Sequence, residues 1–328
     1  MSADWLTQRD ALLLTLEDEK RPLARTQAAD ALCALASGRP LEDAGEFAGT
    51  VPRLLSDAQP EVRCAGVALG AQVLPEEEAV GICTQALADK HPRVRVEGAG
   101  ILADLAIAST RGALAHALED EFFEVRFEAA RGMAALKHKS GVPILIEALD
   151  DKHLRFRALG ALGSLGDSSA LPRVKELFGK WLLPAFERTQ AAGVLAALGD
   201  AEGETFLLKR SEARSALDRG LAIELLGVCK SEVTKARLLS ILADDKDSMR
   251  GAAARGLGRR GESSALPSLT ALARSASLDD DDRLDVAEGL LLLGGAEARA
   301  AVEAMTFAND EARLEWKALL LETAESSP

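Results

Sequence analysis

Hydrophobic residues recur along the chain at the spacing of paired amphipathic helices. In residues 76–88 the apolar side chains fall on one helical face, and a turn with the sequence DKHP follows. Pro92 then opens a second helix, at a position where its missing N–H is tolerated. The pattern therefore predicts a helical hairpin over residues 76–107. The same plan recurs over residues 46–74, 108–136, 140–166, 168–199, 200–228, 231–260 and 262–294.

An arginine returns at a fixed position in these predicted hairpins. Its period is 31 residues, and Arg63 precedes the regular series by 32 residues. The regular series consists of Arg95, Arg126, Arg157, Arg188, Arg219 and Arg250. Such a period indicates an array of repeated units rather than a single compact core. We expect one solenoid over residues 1–328, with core repeats at 46–294, an N-terminal cap unit at 1–37 and a C-terminal cap unit at 296–325.

Further columns follow the arginine. In several units an aspartate stands six positions before it, and small residues stand three and four positions after it. An arginine has five donors and can bond acidic groups of its own layer and of the next, so we expect an Arg–Asp ladder along the solenoid. The predicted ladder acids are Asp57, Asp89, Asp120, Asp151 and Asp244. A structural role for these arginines is favoured over a ligand-binding one.

The combined pattern of Asp, Val-Arg, Ala-Ala and Leu-Gly resembles the HEAT repeat, in particular the short HEAT-like repeats of bacteria. It is clearest in DAQPEVRCAGVALG at 57–70, DEFFEVRFEAARGMAAL at 120–136 and DDKDSMRGAAARGLGRRG at 244–261. The resemblance implies an all-α, right-handed solenoid of about nine or ten helical hairpins, with the second helices on the concave side. It says little about function, because that family includes scaffolds, transport receptors and a few enzymes.

The charge balance narrows the classes of partner. Lys and Arg number 39 against 52 Asp and Glu, a net charge of −13, which disfavours nucleic acid and is compatible with basic protein partners. The four cysteines form no CxxC pair, as expected of a reduced, cytoplasmic protein. We expect no secretory signal and no membrane span. The Ala-, Leu- and Arg-rich composition favours a bacterial origin.

Two consecutive units depart from the arginine pattern. The ladder aspartate is replaced by Leu182 and by Ala213, while Glu187 and Asp218 directly precede the arginine and are candidates for substitute carboxylates. The charge of residues 168–220 is close to neutral, unlike that of the whole chain. A cluster of basic residues there is a candidate site for an acidic partner segment, with ordinary sequence variation as the alternative. The cluster consists of Lys209, Arg210 and Arg214.

Aromatic residues are concentrated in the middle of the chain. Seven of the twelve Phe and Trp residues lie between positions 122 and 186, mostly near predicted turns. An exposed aromatic edge would bind protein, whereas the alternative is that these rings cover the ladder and the core. The candidate binding residues are Phe122, Phe123, Phe127, Phe178, Trp181 and Phe186. Second-helix positions add polar candidates for contact with a partner, namely Glu97, Glu128 and Arg131.

Motifs for catalysis, for a cofactor or for a metal are missing from the sequence. The four His are dispersed, and none is followed by Glu, unlike the iron ligands of the HEAT-like deoxyhypusine hydroxylases. We expect a non-enzymatic scaffold, adaptor or regulator that binds a partner protein on its concave face or turn edge, with signalling or a small-GTPase pathway as one setting for that role. The alternative is a HEAT-like enzyme or enzyme subunit, similar to a phycobilin lyase or a DNA glycosylase.

Overall fold

The computed structural model describes residues 4–18, 20–37, 41–213, 217–275 and 278–325, and within them the chain is helical with no β-strand. The contacts divide the chain into an N-terminal unit, Met1–Ala148, and a C-terminal unit, Leu149–Pro328. The division falls inside the predicted hairpin at 140–166. The succession of helices in the described residues confirms an all-α solenoid.

The N-terminal unit contains ten α-helices in its described residues. Its helices are α1 (Asp4–Thr15), α2 (Pro22–Ser37), α3 (Leu41–Ala48), α4 (Val51–Leu55), α5 (Pro60–Val73), α6 (Glu76–Ala86), α7 (Pro92–Leu105), α8 (Arg111–Ala117), α9 (Phe123–Ala135) and α10 (Val142–Glu147). The hairpins α1–α2, α4–α5, α6–α7 and α8–α9 match the predicted units. The second helices α2, α5, α7 and α9 also pack against each other in sequence order.

The C-terminal unit repeats this plan. Its described helices are α11 (Arg155–Leu165), α12 (Leu171–Phe178), α13 (Ala185–Ala197), α14 (Ala201–Ser211), α15 (Arg219–Leu225), α16 (Glu232–Ala243), α17 (Arg250–Arg260), α18 (Leu266–Ala273), α19 (Asp280–Leu293), α20 (Ala296–Glu303) and α21 (Asp310–Glu325). The odd-numbered helices α11 to α21 pack in a continuous row, whereas the first helices between them touch each other less. The second helices thus form the closely packed side of this unit.

The predicted columns of small and aliphatic residues form the core. Small pairs such as Ala129–Ala130 and Ala253–Ala254 are fully buried. The apolar residue seven positions after the arginine is buried in the same way, as at Leu102. These side chains leave room for neighbouring helices to approach and then fill the space between layers.

Glycines bring the second helices of the C-terminal unit into backbone contact. A Cβ atom added to Gly289 on α19 would lie 2.5 Å from the carbonyl oxygen of Ala254 on α17. Gly258 on α17 faces Gly289 just as closely, and Gly227 faces Gly256. Since the obstructing atoms are backbone, neither helix can yield by a side-chain rotation. Glycine is therefore required at these positions for packing.

None of the helices described in the chain is both long and apolar enough to cross a membrane.

We predict opposite effects for alanine at two helical glycines. Gly289→Ala forces α17 and α19 apart and should lower the free energy of unfolding by about 1–3 kcal/mol. Gly81→Ala on α6 is the control, because no atom lies within 4 Å of the added Cβ. There the better helix propensity of alanine should be neutral or stabilise by up to about 1 kcal/mol. Urea denaturation followed by circular dichroism measures both, and unchanged stability of Gly289→Ala would contradict the close packing.

Candidate functional site

The turn between the two helices of a hairpin is held by an aspartate. In the N-terminal unit, Asp89 accepts a hydrogen bond at 2.8 Å from the backbone N–H of His91, two residues later. Asp120 accepts one at 2.9 Å from the N–H of Phe122, and Asp57 does the same for Gln59. Each aspartate thereby fixes the chain just before the second helix begins, as side-chain caps of turns commonly do.

The same carboxylates receive the arginine of the preceding layer. Arg63 donates from Nε and Nη2 to both carboxylate oxygens of Asp89, at 2.7 Å each. Arg95 makes the equivalent pair with Asp120 at 2.8 and 2.9 Å. Arg25 in turn contacts Asp57. The bidentate geometry joins each hairpin to the next through a charged, directional bond.

The remaining donor of each ladder arginine binds its own turn. Arg63 Nη1 donates to the carbonyl oxygen of Asp57 at 2.9 Å, and Arg126 Nη1 donates to that of Asp120 at 2.8 Å. The own-layer partner is thus a backbone carbonyl, whereas a carboxylate was expected. The carboxylate partner belongs to the next layer. One arginine therefore binds the turn of its own hairpin and the turn of the next hairpin.

The arginines of the ladder keep the carboxylates of Asp89 and Asp120 ionised. The hydrogen bond from Arg63 is the main cause that lowers the pKa of Asp89. Burial would raise the pKa of Asp120, but the hydrogen bonds from Arg95 and from the N–H of Phe122 outweigh it, so the pKa is lowered. Both carboxylates are therefore ionised at neutral pH and are paired with an arginine that is almost fully buried.

In the C-terminal unit the ladder arginine of the first layer is Arg155, and the prediction of Arg157 is wrong. Arg155 Nε donates to the carbonyl oxygen of Leu149 at 2.6 Å, and its Nη1 binds Glu187 of the next layer at 2.7 Å. Arg157 is exposed. Asp151, a predicted ladder acid, is also exposed and accepts the N–H of His153. The register of this repeat is shifted by two residues relative to the 31-residue period.

Asp247, rather than Asp244, is the acid of a later layer. Arg219 binds both carboxylate oxygens of Asp247 at 2.9 and 2.5 Å, while Asp244 is exposed and accepts the N–H of Lys246. Arg250 donates to the carbonyl oxygen of Leu242 and pairs with exposed Asp245. The prediction of Asp244 as a ladder acid is therefore wrong.

Arg188 holds a loop by its carbonyl groups. Its Nη1 donates to the carbonyl oxygen of Phe178 at 2.9 Å, and its Nη2 donates to those of Lys180 and Trp181 at 2.6 and 3.2 Å. The substitute carboxylate Glu187 receives Arg155, as described. Asp218 is fully buried and binds Thr189 and Arg210, so it fixes the adjacent layer without contacting Arg188.

Several of the predicted binding aromatics cover the ladder or the core. Phe122 is 40% exposed, but the guanidinium of Arg95 stacks over its ring at 5.2 Å. The guanidinium of Arg126 lies 5.4 Å from the ring of Phe123. Phe127 is completely buried and is wrong as a surface contact. In the N-terminal unit these rings therefore serve mainly as cover for the charged layer.

Phe178 in the C-terminal unit is likewise wrong as a surface contact. It is 8% exposed, packs edge-on against Phe206 with ring centroids 5.3 Å apart, and lies beneath the guanidinium of Arg188. A buried face of α12 explains this position, because Val174 and Leu177 are buried beside it.

Other apolar side chains of the C-terminal unit stand in solvent. Trp181 is 84% exposed and Phe186 is 46% exposed, so both lie at the surface and stay predicted binding residues. Three further exposed residues were not in the predicted binding set: Leu182 at 73%, Leu217 at 90% and Phe156 at 42%. The replacement of aspartate by Leu182 was the available signal. We name this set the apolar edge: Phe156, Trp181, Leu182, Phe186 and Leu217.

Contacts between layers bring the apolar edge together. Arg155, which directly precedes Phe156, forms an ion pair with Glu187, which directly follows Phe186. Arg188 binds the carbonyl oxygen of Trp181, and the neighbouring Thr189 binds Asp218, which follows Leu217. The five residues thus lie on successive loops and helix starts that these contacts hold next to one another.

The predicted basic cluster lies in the next loop. Lys209 is exposed near the end of α14. Arg210 is partly buried and binds Asp218 at 2.6 Å, so most of its charge is compensated. Arg214 lies outside the described residues. Lys209 alone of the described pair presents an uncompensated charge.

The predicted polar contacts on the second helices of the N-terminal unit are largely internal. Arg131 on α9 binds Asp104 and Glu128 and donates to the carbonyl oxygen of Gly100 at 3.0 Å. Glu128 is 5% exposed, so its prediction as a partner contact is wrong. Glu97 is half-buried, and burial together with Glu128 and Asp104 raises its pKa. Arg131 therefore ties α7 to α9.

A second charged cluster lies on the second helices of the C-terminal unit. Arg255 on α17 binds Asp285 of α19 and Glu224 of α15, joining three helices. Burial raises the pKa of Asp285 to about 6, with Asp282, Glu288 and Glu224 adding to the rise against the opposing Arg255. The cluster contains more carboxylates than cations. Repulsion between ionised carboxylates therefore lowers the stability of this packed face at neutral pH.

Groups for metal or nucleophilic chemistry are not assembled in the described residues. They contain no group of three or more His, Cys, Asp or Glu able to hold a metal ion. The four cysteines are free thiols, and burial raises the pKa of Cys33 to about 11 and that of Cys229 to about 12. A cleft of about 460 Å³ is lined partly by Asp57, Arg63 and Asp89, which are already bound in the ladder.

We predict that the ladder arginines stabilise the fold far more than exposed arginines on the same helix. Arg95→Ala leaves the largely buried carboxylate of Asp120 without its arginine and should cost about 3 kcal/mol of unfolding free energy. Arg93→Ala, two residues away, breaks an exposed pair with Glu61 and should cost about 0–1 kcal/mol. Chemical denaturation compares the two variants, and equal losses would contradict a structural ladder.

We also predict a pH effect at Asp285. Because its pKa is raised in the folded state, its contribution to stability is fully present below about pH 4 and is lost as the pH rises through about 6. Asp285→Asn stays neutral, so its stability should fall less than that of the wild type between pH 4 and 7. The lost pair with Arg255 changes the level but not this slope. Urea midpoints across the range test it, with exposed Glu297→Gln as control, and identical slopes would refute it.

Comparison with known proteins supports the repeat assignment. Residues 110–181 and 204–291 match the family model of HEAT repeats. No curated protein matches the chain.

Several solved structures are similar to the chain at low sequence identity. The complex of CpcE and CpcF of the phycocyanin lyase from Nostoc sp. PCC7120 is 20% identical, with 76% of this chain and 98% of that chain covered and a TM-score of 0.47. YibA of E. coli is 19% identical, with 78% and 95% covered and a TM-score of 0.48. Importin beta is 14% identical, with 98% and 53% covered and a TM-score of 0.38.

The two regions matched by the family model consist of helical hairpins in the structure, and the chain therefore contains HEAT repeats over residues 110–181 and 204–291.

Proposed function

We propose that the protein is a non-enzymatic interaction scaffold, an adaptor or regulator that holds a partner protein on the apolar edge of its C-terminal unit. The observation that carries this proposal is the exposure of Trp181, 84% of which faces solvent beside the exposed Leu182 and Phe186. A contiguous exposed apolar patch on a folded protein commonly marks an interaction site.

Trp181 has the properties of an anchor residue. Tryptophan carries a large apolar surface with few rotatable bonds, and it is among the residues that contribute most to binding in protein interfaces. The side chain of Trp181 is not used in the core, because Phe178 and Leu183 of the same segment are the buried ones. Transfer of this ring into a partner's pocket would therefore add apolar burial without disturbing the fold.

The loop that carries the anchor is held in place before any partner binds. Arg188 bonds three carbonyl groups of residues 178–181, and Thr189 with Asp218 fixes the neighbouring loop. A preorganised surface loses little conformational entropy on binding. This rigidity favours a scaffold that recognises its partner by shape.

Trp181→Ala should weaken partner binding roughly 30-fold or more, which corresponds to about 2 kcal/mol. A partner captured with the tagged wild-type protein would be purified and its dissociation constant measured by calorimetry against wild type and variant. Val233→Ala is the matched control, since Val233 is 63% exposed at the start of α16, away from the apolar edge.

Circular dichroism should show that both variants remain folded, because neither side chain is buried. Equal affinity of wild type and Trp181→Ala for the purified partner would refute the proposed surface. Equal weakening by Trp181→Ala and Val233→Ala would also count against it, since it would indicate unspecific adhesion.

A further inference from the structure

Unpaired lysines accompany the apolar edge. Lys152 lies in the loop before α11, Lys180 directly precedes Trp181, and Lys209 lies near the end of α14. All three are exposed, and none has an ion-pair partner within the described part of the chain. Their charges are therefore available to a bound segment.

Most of the carboxylates at the same edge are already neutralised. Asp150 pairs with Arg173, Glu187 with Arg155, and Asp218 with Arg210. Asp150 is itself exposed, and Asp151 and Glu212 are the exposed acids of these described loop residues that form no ion pair, against three such lysines. The balance of uncompensated charge along the apolar edge is consequently positive, in a chain whose net charge is −13.

The loops that follow differ in both respects. The segment before α17 contains Asp244, Asp245 and Asp247 with a single lysine, and α19 begins with three consecutive aspartates after Asp279. Neither segment carries an exposed large apolar side chain comparable with Trp181 among its described residues. Apolar exposure and free positive charge thus coincide in the layers of α11, α13 and α15.

On the basis of the proposed function, we infer that the apolar edge binds an acidic amphipathic segment of the partner, in which apolar anchors contact Trp181 and its neighbours while flanking Asp or Glu side chains contact the three lysines. Complementary charge of this kind fixes the choice and orientation of a partner more than it adds affinity. A basic amphipathic segment would place like charges against Lys180 and Lys209.

The spacing of the layers sets the size of the segment. Packed helices lie about 8–10 Å apart, so Phe156, Phe186 and Leu217 on successive layers span about 20 Å. A helix of about 13 residues covers this length at 1.5 Å per residue. The aligned N-terminal ends of α11 and α13 also favour carboxylates, because their backbone dipoles are positive there.

Three labelled peptides of about 16 residues test this inference on the full-length protein. They share one face of Leu and Phe and differ on the other face, which carries Glu, Lys or Gln. Fluorescence anisotropy of the label measures affinity. The emission of Trp181 provides a second readout, because Trp5 is buried and Trp316 is partly buried with its ring N–H bound to Val302.

The Glu peptide should bind at least about tenfold more tightly than the Lys peptide at about 0.05 M salt, with the Gln peptide between them. This preference should shrink at about 0.5 M salt, where exposed charges are screened. Binding should shift the emission of Trp181 to shorter wavelength, and Trp181→Ala should weaken all binding to the edge.

The lysine variants separate charge from apolar contact. The double variant Lys180→Ala, Lys209→Ala should weaken the Glu peptide about fivefold or more and leave the Gln peptide unchanged. Lys230→Ala, an exposed lysine between α15 and α16, is the control and should alter neither peptide.

Equal affinity for the Glu and Lys peptides, or tighter binding of the Lys peptide, would overturn the inference. If the Gln peptide then still bound in a Trp181-dependent manner, the apolar interaction surface would stand without the charge preference. Failure of all three peptides would also overturn the inference, while the proposed scaffold role would be decided by the purified partner and Trp181→Ala.

Discussion

The bond between an arginine and the aspartate of the next layer is the constraint on which each unit depends. A solenoid has no single core, so every hairpin must be positioned by its neighbours. Apolar packing of alanine and leucine supplies attraction but little direction. The bidentate pairs Arg63–Asp89 and Arg95–Asp120 add direction, because both carboxylate oxygens must align with two of the guanidinium nitrogens, Nε and Nη2.

The aspartate performs two tasks at once, which explains its place in the repeat. Asp89 and Asp120 cap their own turns and also receive the arginine of the layer before. Loss of the residue would therefore loosen both a loop and an interface. Neighbouring second helices can approach each other closely because their facing side chains are small. At Gly289 and Gly258 the backbones are so close that only glycine, which has no side chain, fits. Turn chemistry and helix packing consequently repeat with the same period.

The sequence predicted the architecture because both signals are periodic, but it did not predict the register of every layer. Counting by 31 selected Arg157, while the loop before α11 places Arg155 where its donors reach Leu149 and Glu187. Asp247 likewise replaced Asp244, since loop length decides which carboxylate faces the arginine. The exposure of individual side chains was harder to predict than the register. Phe127 and Trp181 are both aromatic residues near turns, yet Phe127 lies in the core on α9, whereas Trp181 is exposed.

The relation between the ladder and the apolar edge explains why the candidate surface lies where it does. In the regular layers, the position six residues before the arginine is an aspartate that the preceding layer requires. In the layer of Arg188 that requirement is met by Glu187 instead, and Arg188 holds its loop by carbonyl groups. The position six residues before Arg188 therefore no longer has to be an aspartate. Leu182 occupies it, with 73% of its surface exposed. A change in the source of one carboxylate thus keeps the layers joined and leaves Leu182 and Trp181 exposed on a loop that Arg188 holds in place.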